Sequence, residues 1–239
     1  MKLERRLANL GYGSRREVRR LFSKGAVTDL DGQKVNRDEK DLGQNILVHG
    51  EPMDARPPIV LILHKPAEFE CSRKSRNRTI YELLPPRFLA RSPALSPVGR
   101  LDMDTTGLVI LTDDGELLHR LTHPKHHVAK HYQMHTARPL DSEIAQRFAD
   151  GTLQLESEQT PLKPAEFVQH TDTTATLVLR EGRYHQVKRM MAAVGNHVEQ
   201  LHRSKVGPLE LGDLPAGEWK RLSPDEVITL RQAVGLPTA

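Results

Sequence analysis

Val98-Gly99-Arg100-Leu101-Asp102-Met103-Asp104-Thr105-Thr106-Gly107-Leu108-Val109-Ile110-Leu111-Thr112-Asp113-Asp114-Gly115 is the stretch from which the architecture can be read. Its first half is a polar loop with two carboxylates, bracketed by Gly99 and Gly107, with Arg100 two residues before Asp102. Its second half, Gly107 to Thr112, is an apolar run of strand length that ends in a turn signal at Asp113-Asp114-Gly115. Loops held by a rigid strand are common homes for reactive groups. Spacing alone, however, favours the plainer reading that Asp102 and Asp104 cap or turn the chain.

Working outward, the chain alternates short apolar runs with helical periodicities. Upstream, Ile59 to Leu63 is a second apolar strand. Downstream, strands are expected at His131 to Thr136, Glu166 to Gln169, Thr174 to Arg180 and His197 to His202. Several alternate in polarity, which suits an antiparallel sheet with one wet face. Helices are expected at Gly115 to Thr122, Ser142 to Ala149 and Tyr184 to Val194, the last with Val187, Met190, Met191 and Val194 facing inward. Ser223-Pro224-Asp225-Glu226 supplies a cap, a proline at the first helical position and a closing Glu for a final helix. The fold class is α+β: residues 59–239 form a domain on a mixed, mainly antiparallel sheet with flanking helices.

A smaller module precedes it in residues 1–55. Leu3, Leu7 and Leu10 recur at helical spacing up to Gly11-Tyr12-Gly13, and Ser14 with Glu17 forms a capping-box pattern for a second helix that ends near Gly25. That helix turns Val18, Leu21 and Phe22 to one side and Arg15, Arg16, Arg19 and Arg20 toward the other, within reach of phosphates. Short strands follow at Ala26-Val27, Lys34-Val35 and Ile46 to Val48, with a turn at Asp31-Gly32. Gly50 to Pro58, with Pro52, Pro57 and Pro58, reads as a linker.

With 239 residues, 37% of them hydrophobic, the chain can bury a real core. Lys and Arg total 35 against 31 acids, a formal net charge of +4 that is unevenly spread. Residues 1–24 carry +6, 64–78 carry +3, 119–138 carry +4 and 180–205 carry +4, so the rest of the chain carries −13. Six of the twelve histidines, His119, His123, His126, His127, His131 and His135, fall in the third basic segment. Basic patches in an acidic body point to a polyanion, and to RNA or DNA ahead of a membrane, because no strongly amphipathic basic helix accompanies the charge. Ordinary solvated faces are the alternative. A single cysteine, Cys71, excludes an intrachain disulfide framework and any multi-cysteine metal site, and fits a reducing cytosol. No apolar run approaches the 18 or so residues of a membrane span, and the N-terminus lacks the apolar stretch of a secretory signal. A soluble, cytoplasmic protein is expected.

Two further segments bear on chemistry. Leu179-Arg180-Glu181-Gly182-Arg183-Tyr184-His185-Gln186-Val187-Lys188-Arg189-Met190-Met191 leaves a strand through a glycine and opens a donor-rich helix, whose first turns could hold a carboxylate or phosphate. The histidine-rich segment spaces His119 from His123 and His127 from His131 as metal ligands can be spaced. Pro124 breaks any helix joining the two pairs and no cysteine keeps them company, so RNA contact is the better reading and no metal is expected. Phosphate-loop, dinucleotide and Gly-x-Ser-x-Gly signatures are absent from the sequence.

The run Gly99-Arg100-Leu101-Asp102-Met103-Asp104-Thr105-Thr106-Gly107-Leu108, then Leu111-Thr112-Asp113-Asp114-Gly115, then Glu181-Gly182-Arg183-Tyr184-His185-Gln186-Val187-Lys188-Arg189-Met190, closely resembles the RsuA-type branch of the RNA pseudouridine synthases. Residues 1 to about 50, through Gly13-Ser14-Arg15-Arg16 and Gly25-Ala26-Val27, resemble the small RNA-binding domain named after ribosomal protein S-four. Where relatives commonly read Lys-Thr-Tyr, this chain has Lys130-His131-Tyr132. The resemblance implies isomerisation of a uridine in 16S rRNA, at position 516, without a cofactor. The partner it implies is a small-subunit assembly intermediate, met by a monomeric enzyme.

By the same resemblance Asp102 is the catalytic carboxylate, as nucleophile on the sugar or as base at C2′. Tyr132 becomes the flat wall for the flipped uracil, although by itself it reads as a core tyrosine. Lys188 is the cation that keeps Asp102 ionised, with Arg183 the next candidate; a lysine there acts as a point charge rather than a fork. Arg100 grips RNA or orders its loop, and Leu201 packs behind the base. RNA contacts are expected from Arg15, Arg16, Arg19, Arg20, Lys65, His126, His127, Lys130 and Arg189. Three rival readings stay open: a synthase acting on 23S rRNA, a non-catalytic rRNA-binding assembly protein, and a metal hydrolase built on Asp102, Asp104 and histidines.

Overall fold

The computed structural model describes residues 1–41, 45–156 and 158–237. At the N-terminus, α1 (Leu3–Asn9) and α2 (Arg15–Ser23) pack through Leu3, Leu7 and Val18 onto Val27, Ile46 and Val48. The capping box at the start of α2 is complete: Ser14 Oγ accepts from Glu17 N at 3.4 Å and Glu17 Oε2 accepts from Ser14 N at 2.7 Å. A three-stranded antiparallel sheet of β1 (Val27–Thr28), β2 (Leu47–Val48) and β3 (Glu51–Pro52) completes the module. The strand expected at Lys34-Val35 is reduced to one bridge, Lys34 with Thr28.

The expected linker is not a loose tether. Its first residues form β3, where Pro52 sits on an exposed edge that does not need its missing donor. Further on, Arg87 donates from Nε and Nη2 to the two oxygens of Asp54 at 2.6 and 2.9 Å, and its guanidinium lies 5.4 Å from the Tyr12 ring centroid. Gly11, at φ +88°, meets the Arg87 carbonyl so closely that a Cβ would stand 2.0 Å from the oxygen. The two parts of the chain therefore meet in a packed seam.

The remainder is built on nine strands among the described residues: β4 (Val60–Lys65), β5 (Ser96–Pro97), β6 (Thr106–Thr112), β7 (Lys130–Thr136), β8 (Glu166–Gln169), β9 (Thr174–Leu179), β10 (Val198–Val206), β11 (Leu209–Glu210) and β12 (Trp219–Arg221). Their order is β12-β4-β6-β10-β7-β9-β8, with β5 beside β6 and β11 beside β10. The named strands pair antiparallel except β6 with β10. Helices α3 (Pro86–Leu89), α4 (Gly115–Thr122), α5 (Ile144–Ala149), α6 (Gln186–Ala193) and α7 (Pro224–Gln232) flank the sheet. This is the mixed, mainly antiparallel α+β architecture that the sequence predicts.

The two halves of the sheet differ. β4 and β6 are covered on both faces: Ile62, Leu108 and Ile110 pack with Leu117 of α4 and Leu230 of α7, while Leu61, Leu63, Val109 and Leu111 pack with Phe88 and Leu95. Two-sided burial is why these strands read as apolar runs rather than alternations. In the β7–β9–β8 half, α5 and α6 cover one face, burying Phe148, Met190 and Met191 against Met134, Phe167 and Leu177. Alternation survives there because the other face stays polar. At the parallel junction Gly107 pairs with Arg203, at φ +111°, and a Cβ on it would stand 2.3 Å from the Arg203 carbonyl oxygen.

Candidate active site

Residues 98–105 bulge out between β5 and β6, which are themselves paired. Leu101 pins the bulge inward: it is buried, and its N–H donates to Cys71 Sγ at 3.4 Å. Lys65 pins it from beneath. Wholly buried at the end of β4, its Nζ donates to the carbonyls of Pro66 at 3.0 Å, Met103 at 3.0 Å and Thr105 at 2.7 Å. A turn from Thr105 N to Asp102 O, 3.1 Å, and a bond from Glu68 N to Met103 O, 2.8 Å, complete the fastening. Burial pushes the Lys65 ammonium below the ordinary lysine range, although the charges of Cys71, Asp104 and Asp102 work against the fall.

Asp102, next to the pinned Leu101, faces a cleft lined by Arg100, Thr105, Tyr132 of β7, Leu179 of β9, Leu201 of β10 and the start of α6. Lys188, one turn into α6, bridges two carboxylates. Its Nζ is 2.6 Å from both oxygens of Asp104 and 3.8 Å from Asp102 Oδ2. The bond to Lys188 holds the Asp104 carboxyl below the usual carboxylate range. His185 Nε2 stands 3.3 Å from Asp102 Oδ1, and His185 itself has left-handed backbone angles, φ 48° and ψ 34°, which are uncommon for a non-glycine residue. Thr105 Oγ1 is buried against the cleft without a hydrogen-bond partner.

Behind the cleft the scaffold is charged. Arg203, 2% exposed, donates from Nε to the Leu108 carbonyl at 2.8 Å and lies 6.0 Å from the Tyr132 ring centroid, with Nη2 unpartnered. Buried Glu181 accepts from Gln186 Nε2 at 2.8 Å and Lys163 N at 3.1 Å, which fixes the turn into α6. Arg183 is clamped by Glu158, Glu181 and the carbonyls of Thr160 and Pro161.

The six residues expected at the reacting centre and around it, Asp102, Tyr132, Lys188, Arg100, Arg183 and Leu201, thus line one cleft. Their pairing differs from the expectation in two respects. Lys188 is closest to Asp104 rather than to Asp102, and Arg183 is no reserve cation for Asp102, because its fork is filled by acids and carbonyls of the 158–161 segment. His185 and Thr105 line the cleft unforeseen, and Asp104, read from the sequence as a capping or metal-binding carboxylate, joins its ion pairs. The only signal for His185 was its place in the segment that opens α6.

The residues expected to touch RNA divide sharply. Arg15, Arg16, Arg19 and Arg20 are exposed on α2, and His127 is exposed with His126 partly so. Lys65 is buried and cannot face RNA. Lys130 turns its ammonium to the carbonyls of Val128 at 3.2 Å and Glu181 at 3.5 Å, where burial and the nearby Arg203 lower its pKa to about 8. Arg189 is drawn onto Glu158 at 2.7 Å and the Glu156 carbonyl at 2.6 Å. No cluster of three or more His, Cys, Asp or Glu suited to a metal ion occurs among the described residues. Among the described residues no helix is long and apolar enough to cross a membrane. A groove of about 860 Å³ between residues 55–60 and α7 is larger than the cleft, but two of its three acids, Asp113 and Asp114, are already paired, with Arg91 and Arg231.

The model of the RNA pseudouridylate synthase family matches residues 59–193, the segment that holds both the Asp102 loop and the start of α6. The chain belongs to that family. It is 39% identical over 237 residues to the ribosomal small subunit pseudouridine synthase A of Pasteurella multocida (strain Pm70), covering 97% of this chain and 100% of the relative. An uncharacterized RNA pseudouridine synthase of Bacillus subtilis (strain 168) is 37% identical over 239 residues, at 97% and 99% coverage. A crystal structure of a pseudouridylate synthase superposes with a TM-score of 0.69 at 35% identity, over 96% of this chain and 99% of the other. The protein is an RNA pseudouridine synthase, an enzyme that converts uridine to pseudouridine.

Proposed function

We propose that this synthase isomerises a uridine of 16S rRNA, at position 516, with Asp102 acting at the ribose. The observation that carries the reading is the convergence of Asp102, Tyr132, Leu201 and Lys188, from four separate elements, on one cleft. The target rests on the Pasteurella multocida relative, whose name places it on the small ribosomal subunit.

The reaction breaks the bond from C1′ to N1, turns the base and joins C1′ to C5; C5 then loses its proton and N1 gains one, so there is no net redox change and no hydrolysis. Asp102 acts as nucleophile at C1′ or as base at C2′, with the Lys188 ammonium 3.8 Å from its Oδ2 as the neighbouring positive charge. One carboxylate suffices because the uracil anion leaves and is recaptured, whereas a glycosidase must also activate water. Tyr132 retains the freed ring by stacking, and Leu201 closes the pocket behind it.

Extruding the base costs a few kcal/mol, and stacking on one aromatic returns about 1 to 3 kcal/mol. Phosphate contacts supply the remainder. We assign them to the N-terminal module, read as an S-four-like RNA-binding domain over residues 1–55, through Arg15, Arg16, Arg19 and Arg20. His126, His127 and Arg100 add contacts nearer the cleft. The enzyme acts as a monomer on a small-subunit assembly intermediate in the cytoplasm.

Tritium release from 5-tritiated uridine in 16S rRNA tests the reading. The wild type releases tritium, and Asp102→Asn releases at least about 10³-fold less while still binding the RNA. Equal release from both would remove Asp102 from the reacting centre, and none from either would refute 16S rRNA as the substrate. Pseudouridine mapping in cells with and without the gene tests the target: a site lost from 23S rRNA would refute the 16S assignment alone.

A further inference from the structure

Ten residues of the chain are aromatic, and nine of their rings are buried or partly buried. Tyr184 is the exception at 75% exposed. It stands at the turn into α6, beside the cleft, and its ring stacks on His185 with centroids 3.8 Å apart and planes 18° from parallel. The lower ring of that stack points an edge at the reacting centre, since His185 Nε2 is 3.3 Å from Asp102 Oδ1. The upper ring leaves one face open to solvent. His185 holds this position with left-handed backbone angles, and the turn behind it is fastened by Arg183 N to Gln186 Oε1 at 2.9 Å. A flat aromatic ring on a fastened turn, one ring away from the catalytic carboxylate, is poorly explained as core packing, because Tyr184 is three-quarters exposed and, among the described residues, its ring pairs with that of His185.

We propose that Tyr184, supported by His185, is a stacking platform for the nucleobase that flanks the extruded uridine in the RNA strand. The proposal rests on the reading that a uridine is turned into the Asp102 cleft. Once it has left the stack, its neighbour loses one face of contact, and an exposed aromatic at the mouth replaces it. Every base offers a π-face, so the platform tolerates sequence and contributes to holding the opened strand rather than to choosing the target base. An unpaired base is the fitting occupant because a paired one has both faces covered by its own helix.

The test is steady-state kinetics on a 16S rRNA fragment, joined to fluorescence of 2-aminopurine placed on either side of the target uridine. Tyr184→Ala is expected to raise KM by about 5- to 100-fold with kcat changed less than about twofold, and Tyr184→Phe, which keeps the ring, recovers most of the lost affinity. Wild-type enzyme quenches 2-aminopurine at one flanking position, and Tyr184→Ala does not. An unchanged KM, quenching that survives the loss of the ring, or a fall in kcat at constant KM overturns the platform; the last would make the pair a support for Asp102 alone. A wild-type enzyme with no tritium release on this RNA would overturn the functional reading instead, and the quenching experiment would still decide the platform as a property of RNA binding.

Discussion

Along α2, Arg15, Arg16, Arg19 and Arg20 stand exposed, and among the described residues Arg19 alone of the four meets a carboxylate, Glu4 at 2.9 Å. Around the cleft the cations turn the other way. Arg183 and Arg189 share Glu158, and Lys65 and Arg203 donate to backbone carbonyls. The exposed set produces a field that reaches an RNA at a distance and weakens with salt. The inward set fixes loops, feels little salt and offers RNA few free donors. The same residue types therefore stand in two settings, an exposed one suited to long-range capture of a polyanion and an inward one that adds local rigidity, and the acids and carbonyls within reach separate them.

Breaking the inward set should cost most. Lys65→Met leaves the carbonyls of Pro66, Met103 and Thr105 without their shared donor, at a cost of about 2 to 4 kcal/mol of stability, and lets the Asp102 loop drift. A drop in kcat of at least about 100-fold is expected, with RNA affinity little changed. Stopped-turnover kinetics and binding isotherms check this; a selective loss of affinity would return Lys65 to the RNA face. Next in size, replacing Arg15, Arg16 and Arg20 together by Ala should flatten the slope of log affinity against log salt by about 2 to 3, at roughly 0.7 to 0.9 per lost phosphate contact, and the effect should fall on KM. An unchanged slope would show that α2 does not touch RNA. Smallest is the seam between the two regions. Asp54→Asn weakens the two-pronged contact with Arg87 and should lower stability by about 1 kcal/mol, seen as a melting temperature about 2 to 4 °C lower.

Much of this was legible beforehand. The Asp102 loop announced itself because a polar, glycine-bracketed stretch runs straight into an apolar strand, and α2 because its capping box is local. What the sequence hid was direction. Lys65 sits in a segment of net positive charge, yet the carbonyls that hold it belong to residues almost forty positions away in part, and no local pattern reveals them. Arg183 and Arg189 were misread for the same reason: Glu158, their partner, lies in an irregular segment with no periodicity to place it. β3 escaped because Glu51-Pro52 is short, polar and exposed, and β10 ran on to Val206 because neighbouring strands rather than its own side chains sustain it past His202.

Gly107 marks where all of this is held in register. Because no side chain separates the start of β6 from the Arg203 backbone, the strand that follows the Asp102 loop and the one bearing the buried guanidinium near Tyr132 lie closer than any alanine would permit. A single added methyl would act as a wedge driven into a hinge plate: the two halves of the sheet would splay, and the tolerance for mutation at this spot should be among the narrowest in the molecule.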